Sequence, residues 1–156
     1  MRVRICAVGR LRGGPEADLI QDYLNRFKKT ARGLGWGDAE VIEIEDRKGG
    51  GKTAEAVLLK KAIPASAVVI CLDERGKTLT SPAFADRLRG WADQGRSDLA
   101  VLIGGADGLG SDLVDRADLV LSFGRMVWPH MLARVMLAEQ LYRAATILTG
   151  GPYHRV

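Results

Sequence analysis

Two unbroken apolar runs, Ala67 to Leu72 and Leu99 to Ile103, constrain this chain more than any other feature. A strand with one face in water alternates apolar and polar residues, so a run without alternation must be covered on both faces. A sheet with helices on both sides does that, and such sheets are mostly parallel. The remaining elements fit between the runs. Arg2 to Val8 is β-rich and stops at Gly9, after which Leu19, Ile20, Tyr23, Leu24 and Phe27 recur at helical spacing. Val41 to Glu45 alternates apolar with acidic residues, and Thr53 is placed to cap a helix running through Leu58, Leu59 and Ala62. Ser81-Pro82 supplies an N-cap with proline at the first helical position. A short helix after Ser111, a strand from Leu119 to Ser122, and a long helix opened by Pro129 and reaching Leu148 complete the alternation. The expected fold class is α/β, a mostly parallel sheet flanked by helices. With 156 residues, 47% of them apolar, and no repeat or linker, residues 1–156 are expected to form a single domain.

A net charge of +4 permits an anionic partner, but the basic residues are spread along the chain without a solid block. Most of them are Arg, the better residue for bidentate phosphate contacts. Cys6 and Cys71 both lie inside apolar runs, which marks them as reduced core residues. With two cysteines and two histidines no metal cluster is expected. The start of the sequence has no signal-peptide core, and the stretch from Ala62 to Leu72 is too short to span a bilayer and contains Pro64. The expected location is the cytoplasm, with no membrane partner.

Ligands of open α/β sheets collect beyond the carboxyl ends of the strands, which selects three segments. They are Leu72 to Lys77, Gly104 to Gly110, and Phe123 to Trp128. The second has four glycines in seven positions, which permits positive φ and lets backbone N–H groups approach a ligand. Its spacing is not the dinucleotide fingerprint. Gly49-Gly50-Gly51-Lys52-Thr53 imitates the end of a phosphate-binding P-loop, and Val68 to Asp73 imitates a Walker B strand. Asp46 stands where the first P-loop glycine belongs, and its charge would repel phosphates. A P-loop-like nucleotide-binding protein therefore remains an alternative, as does a non-catalytic RNA-binding protein.

The segment Trp128-Pro129-His130 through Arg134, Glu139-Gln140 and Tyr142-Arg143-Ala144, with the tail Pro152-Tyr153-His154-Arg155, closely resembles the family that methylates N3 of a pseudouridine in bacterial 23S ribosomal RNA. These are SPOUT-class methyltransferases. The resemblance extends to Ala7-Val8-Gly9, to Leu72 with Gly76-Lys77, to Ser81 with Phe84-Ala85, and to Ile103-Gly104-Gly105 with Gly108. It implies a sheet whose C-terminal part is threaded into a trefoil knot, a path that general chain-topology rules disfavour. It also implies S-adenosyl-L-methionine as cofactor. By analogy the cofactor is held by the backbone at Leu72, Gly104, Gly105 and the stretch Phe123, Gly124, Arg125, Met126, Val127 and Trp128. Many members carry small or hydroxyl residues in that third segment, where this chain has Gly124-Arg125-Met126-Val127, so only backbone contacts carry over. Arg125 is assigned to solvent.

Methyl transfer from a sulfonium to nitrogen asks the protein to position the target nitrogen, exclude water and stabilise charge as the imide proton leaves. The tail is assigned that work. Pro152 stiffens it, and Tyr153, His154 and Arg155 then bring an aromatic face, a titratable ring and a permanent cation. Tyr153 is expected to stack on or hydrogen-bond the base, His154 to accept the N3 proton, and Arg155 to stabilise the anion or hold a phosphate. His130 is read as structural, steadying the turn into the last helix through a backbone hydrogen bond. Glu139 needs a partner, from Arg134, Arg143 or backbone donors. Trp36 and Trp91 are read as packing residues. The last helix is apolar on nearly every side, so a second subunit is expected to cover what one sheet cannot, giving a homodimer. So small a surface with so little charge is expected to act on 23S rRNA only in the assembled ribosome.

Overall fold

The computed structural model describes residues 1–155. Among them, β1 (Arg2–Val8), β2 (Ala39–Ile44), β3 (Val68–Thr78), β4 (Asp98–Ile103) and β5 (Leu119–Ser122) form one sheet in the order β2-β1-β4-β3-β5. Every neighbouring pair is parallel. The helices are α1 (Pro15–Ala31), α2 (Gly51–Ala62), α3 (Ser81–Asp93), α4 (Ser111–Asp115) and α5 (His130–Thr149), with a 3-10 turn at Arg32–Leu34. The non-alternating runs are buried on both faces, as their composition requires. Val68, Ile70, Leu99, Val101 and Ile103 face a core shared with α1, α3 and α5, while Cys71, Ala100 and Leu102 face α2 and α4. Leu88, Leu99, Leu137 and Leu141 are wholly enclosed, and cutting any such side chain to alanine costs about 2–5 kcal/mol. Cys6 and Cys71 lie on the α2/α4 side, where burial pushes their thiols up to about 11 and about 12. Both therefore stay protonated and unreactive near neutral pH.

Three local expectations need correction. Thr53 does not cap α2, which begins at Gly51 without a side-chain cap; Asp46 instead accepts hydrogen bonds from the Lys48 and Gly50 amides and shapes the approach. The cap of α3 is Thr80, whose Oγ1 accepts from the Ala83 amide at 3.2 Å. Ser81 is one residue inside, and its hydroxyl donates to Gln140 Oε1 at 2.8 Å, tying α3 to α5. Third, β3 does not end at Leu72 but runs on to Thr78 beside β5. Leu72 and Lys77 both register with Leu121, so the residues between them bulge out. Gly76 passes so close to β5 that a Cβ there would lie 2.6 Å from the Val120 carbonyl oxygen. Only glycine fits.

Much of the cover of α5 comes from within the chain, because α1 and α3 flank it. The apolar surface left open is concentrated at its N-terminal end, where Met131 and Leu132 follow the exposed Met126, Val127 and Trp128. At the other end Gly150 takes a left-handed conformation, and the Gly150 and Gly151 amides bond back to Ile147 and Thr146. The tail therefore turns back along α5. This packing of α5 onto α1 and α3 is compatible with the knotted path that the resemblance implies. Among the described residues, no helix is long and apolar enough to cross a membrane, and no group of three or more His, Cys, Asp or Glu could hold a metal ion.

Candidate active site

The β3 bulge, the turn after β4 and the segment after β5 leave the same end of three adjacent strands and converge on one cleft of about 740 Å³. That size is ordinary for a small-molecule site. Leu72, Ile103, Leu121 and Phe123 supply apolar walls, and Gly104, Gly105, Gly108 and Gly124 expose backbone. Met126, Val127 and Trp128 form the far side. Of the residues that the resemblance implies for the cofactor, only Arg125 lies outside the lining, with its side chain exposed. Charged residues of the lining are Asp73, Glu74 and Asp107 against Arg75 alone, so the cleft is acidic. Asp73 lies below the usual carboxylate range chiefly because Arg75 hydrogen-bonds it, at 2.8 and 2.9 Å.

The glycine turn is held by its own backbone. The Gly108 amide donates to the Gly105 carbonyl at 3.0 Å, and a Cβ at Gly104 would lie 2.4 Å from the Gly108 carbonyl carbon. Gly104 is thus demanded by loop closure, not by room for a ligand. A Cβ at Gly105 would meet Val8 at 3.1 Å, on the side of α2.

His130 lines the cleft, but not as expected. Its Nδ1 is buried without a hydrogen-bond partner, and the turn into α5 is closed by the Ala133 amide donating to the Pro129 carbonyl. The adjacent Gly9 has φ +95°, and a Cβ there would stand 3.4 Å from His130 Cε1. One turn along α5, Arg134 is wholly buried, and its guanidinium donates to the carbonyls of Val8 and Gly9 at 2.8 Å each and to Glu43 at 3.2 Å. Burial lowers its pKa while Glu43 opposes that shift. Arg134, one of the expected partners of Glu139, is thus committed to the β1 carbonyls and Glu43 instead, a role not expected from the sequence. The available signal was a lone Arg in an apolar helix, which must find buried acceptors.

Glu139 pairs with Arg143 instead, at 2.7 and 3.0 Å. It also accepts from the Tyr153 hydroxyl at 2.9 Å and from Gln140 at 2.8 Å. The Tyr153 ring packs on Tyr142 with centroids 4.6 Å apart and under the Arg143 guanidinium at 4.8 Å. Burial, then hydrogen bonding to Tyr23 and Glu139, holds its phenol above the usual tyrosine range. Arg143 Nη1 lies 3.2 Å from His154 Nδ1, and because arginine can only donate, Nδ1 is the acceptor. Tyr153, His154 and Arg155 do not line the cleft. At a rise of 1.5 Å per residue, their anchor at Glu139 and Arg143 stands about 14–20 Å along α5 from His130. A second hollow of about 490 Å³, which includes Tyr23 and Glu139, adjoins the cleft across Leu121, Phe123 and Gly124. Trp91 is buried and Trp36 packs against the core, so both are packing residues.

The phosphate-loop alternative fails on this geometry. The loop amides that would cradle a phosphate bond to Asp46, and the Walker-B-like Asp73 is engaged with Arg75.

The family model described as "Predicted SPOUT methyltransferase" matches residues 1–154. Proteins named "Ribosomal RNA large subunit methyltransferase H" from Dinoroseobacter shibae and Ruegeria pomeroyi are 70% and 67% identical, with 100% of this chain and 100% of each relative covered. A solved structure, "a probable methylase family protein from Haemophilus influenzae Rd KW20", aligns with a TM-score of 0.57 at 10% identity. It covers 99% of this chain and 70% of that one, a likeness of fold alone. Agreement along the whole length, over the core as well as the cleft, goes beyond a shared motif: the chain belongs to the SPOUT methyltransferase family.

Proposed function

We propose that this methyltransferase transfers a methyl group from S-adenosylmethionine to N3 of a pseudouridine in 23S ribosomal RNA of assembled ribosomes, as a cytoplasmic homodimer. The observation that carries the reading is full-length identity of 62–70% to relatives named for ribosomal RNA methylation. The cleft supports the cofactor. Its apolar walls suit an adenine ring, its glycine turns offer backbone groups, and its acidic lining suits a ligand with net positive charge better than a nucleotide phosphate. S-adenosylmethionine supplies, when bound, an electrophilic methyl group on a sulfonium. Leu72, Gly104, Gly105, Phe123, Gly124, Met126, Val127 and Trp128 would hold it there, and Arg125 is left facing solvent.

The tail is assigned to the target base. Proton transfer and charge stabilisation need hydrogen-bond reach, about 2.6–3.2 Å, whereas the anchor of the tail stands about 9–15 Å along α5 from Ala133, the last residue of that helix to line the cleft of its own chain. The tail therefore acts in the cleft of a second subunit. The exposed Met126, Val127, Trp128, Met131 and Leu132 border that cleft and offer the apolar contact for a two-fold pairing. Tyr153, bonded to Glu139 and packed on Tyr142, anchors the tail rather than presenting a free ring. His154 accepts from Arg143 at Nδ1, so its neutral ring offers an Nε2–H donor. That donor suits a carbonyl oxygen gaining charge as N3 loses its proton; for His154 to act as the base, its ring must first leave Arg143. Arg155 adds a cation for the same anion or for a flanking phosphate.

Isotopic methyl transfer to ribosomes lacking the modification, followed by mass spectrometry of the rRNA, tests the reading. A single N3-methylpseudouridine in 23S rRNA is expected; transfer to another nucleotide, or none, would sink it.

A further inference from the structure

Resting on the reading of ribosomal RNA as substrate, we propose that the β1–α1 loop, the β2–α2 loop and the first turn of α2 form a docking rim beside the cleft, where Arg10, Arg12, Lys48 and Lys52 hold RNA phosphates flanking the target nucleotide. β1 and β2 are parallel neighbours, so both loops leave the end of the sheet at which the cleft opens. The β1–α1 loop and α2 both border the cleft. Gly9 packs on His130, and α2 brings Glu55 within 3.6 Å of the Cβ position of Gly105. Asp73, bonded first to Arg75, also feels Lys52.

The charge balance at this rim is set by which groups are engaged. Glu43 accepts from Arg134 and from the Leu11 amide, Asp46 accepts from the Lys48 and Gly50 amides, and Glu45 faces Arg47 at 3.7 Å. Among the described residues Arg10, Arg12, Lys48 and Lys52 have no ion-pair partner, and all four are exposed. Glu43 and Asp46 thus serve the fold and leave the four cations to solvent, while Glu16 and Glu55, near the N-terminal ends of α1 and α2, have no ion-pair partner among the described residues. This division separates two ligands: the acidic cleft suits a cationic cofactor and repels a polyanion, while the rim attracts one. Arginine forks and lysine ammonium groups on glycine-flanked loops match phosphate oxygens. A lipid surface would also need apolar side chains to insert, and Leu11, the one apolar residue of these loops, is half-buried and packed on the core.

The test combines a rim variant (Arg10→Gln, Arg12→Gln, Lys48→Gln, Lys52→Gln) with a control of equal charge loss (Lys29→Gln, Lys61→Gln, Arg87→Gln, Arg116→Gln) taken from exposed sites away from the cleft end. Co-sedimentation with purified bacterial ribosomes across salt concentrations reads affinity, methyl transfer reads KM and turnover, and calorimetry reads S-adenosylmethionine binding. The slope of log affinity against log salt should fall by about 3 in the rim variant and little in the control. The part of the affinity lost between 50 and 200 mM salt should accordingly shrink about 60-fold. KM for ribosomes should rise while cofactor binding stays intact. A wild-type slope and KM in the rim variant, or an equal loss in the control, overturns the rim. The two failures are distinguishable. If the wild type methylates ribosomes and the rim variant does so equally well, the rim fails and the reaction stands; if the wild type transfers no methyl group while the rim variant alone loses ribosome affinity, the reaction fails and the rim stands.

Discussion

At its N-terminal end α5 leaves groups free. His130 Nδ1 has no partner, Met126 and Val127 are 73% and 79% exposed, and the glycine turns beside them show bare backbone. Toward its C-terminal end the polar groups are engaged: Glu139 holds Arg143, Gln140 and Tyr153, and Arg143 holds His154. The contrast separates two tasks. A ligand site must keep groups available for a partner that arrives later, whereas a chain end, which otherwise frays, must be bound down before it can present anything. Hydrogen bonds to charged groups are worth about 1.5–3 kcal/mol each when buried, and these half-exposed ones less. A few together hold four residues of tail.

The sharpest way to break this contrast is to remove the chain from Tyr153 onward. Methyl transfer to ribosomes should fall by about 10²–10⁴-fold, the range of positioned acid–base and charge-stabilising groups, while S-adenosylmethionine still binds by calorimetry. A truncated protein with wild-type turnover would show that the engaged end has no catalytic task. The proposed arrangement between subunits has its own signature. Mixing the truncated chain with a chain whose cleft is blocked should restore about a quarter of wild-type activity, because half the dimers are mixed and each holds one complete site. A mixture as inactive as its components would place both functions in one subunit.

A smaller effect is expected from blocking the open end. Gly104 and Gly105 are poor probes, since a Cβ at either meets loop backbone or Val8 before it reaches the cleft. Ala133 lines the cleft from the first turn of α5. Ala133→Phe should set about 1–3 kcal/mol of crowding against the cofactor, so that binding weakens on the order of 10- to 100-fold with an unchanged melting temperature. Undiminished affinity in the folded variant would move the cofactor elsewhere.

The smallest effect is a titration at the engaged end. The Tyr153 phenol is held above the usual tyrosine value, first by burial and then by bonds to Tyr23 and Glu139. Protonated Tyr153 therefore contributes stability that is whole below about pH 10, the ordinary tyrosine value, and is lost as pH rises beyond it through the raised value. In Glu139→Gln one cause of the shift is removed, so the tyrosinate absorbance of Tyr153 should appear at lower pH. An unmoved transition, read against Tyr153→Phe to identify the band, would show that Glu139 does not hold the tail.

Legibility followed distance along the chain. β4 and β5 were readable to within a residue, because a run of buried apolar residues is a local pattern. The cleft was readable for a related reason: strand ends in a parallel sheet define where ligands gather, and the glycine turn after β4 marked one wall. The capping residues failed by small steps, with Ser81 taken for Thr80 and Thr53 placed inside α2, because several hydroxyls compete for each helix start and local sequence does not rank them. His130 failed differently. A backbone hydrogen bond was expected for it, and the fold placed Gly9 against the ring instead.

By itself the amino-acid order determined a parallel sheet between helices, the bounds of β4 and β5 to within a residue, and, through its resemblance to known chains, membership of the SPOUT methyltransferases. Tertiary structure decided the rest, since it depends on partners that sequence spacing does not encode. The continuation of β3 past Leu72 exists because β5 offers backbone bonds across a bulge in which Gly76 alone fits. The buried Arg134 finds Glu43, 91 positions away, and the tail finds Glu139 because Gly150 and Gly151 reverse the chain. Apolar burial is dictated residue by residue, while the pairing of a buried charge or of a bulged strand is settled only when distant segments meet.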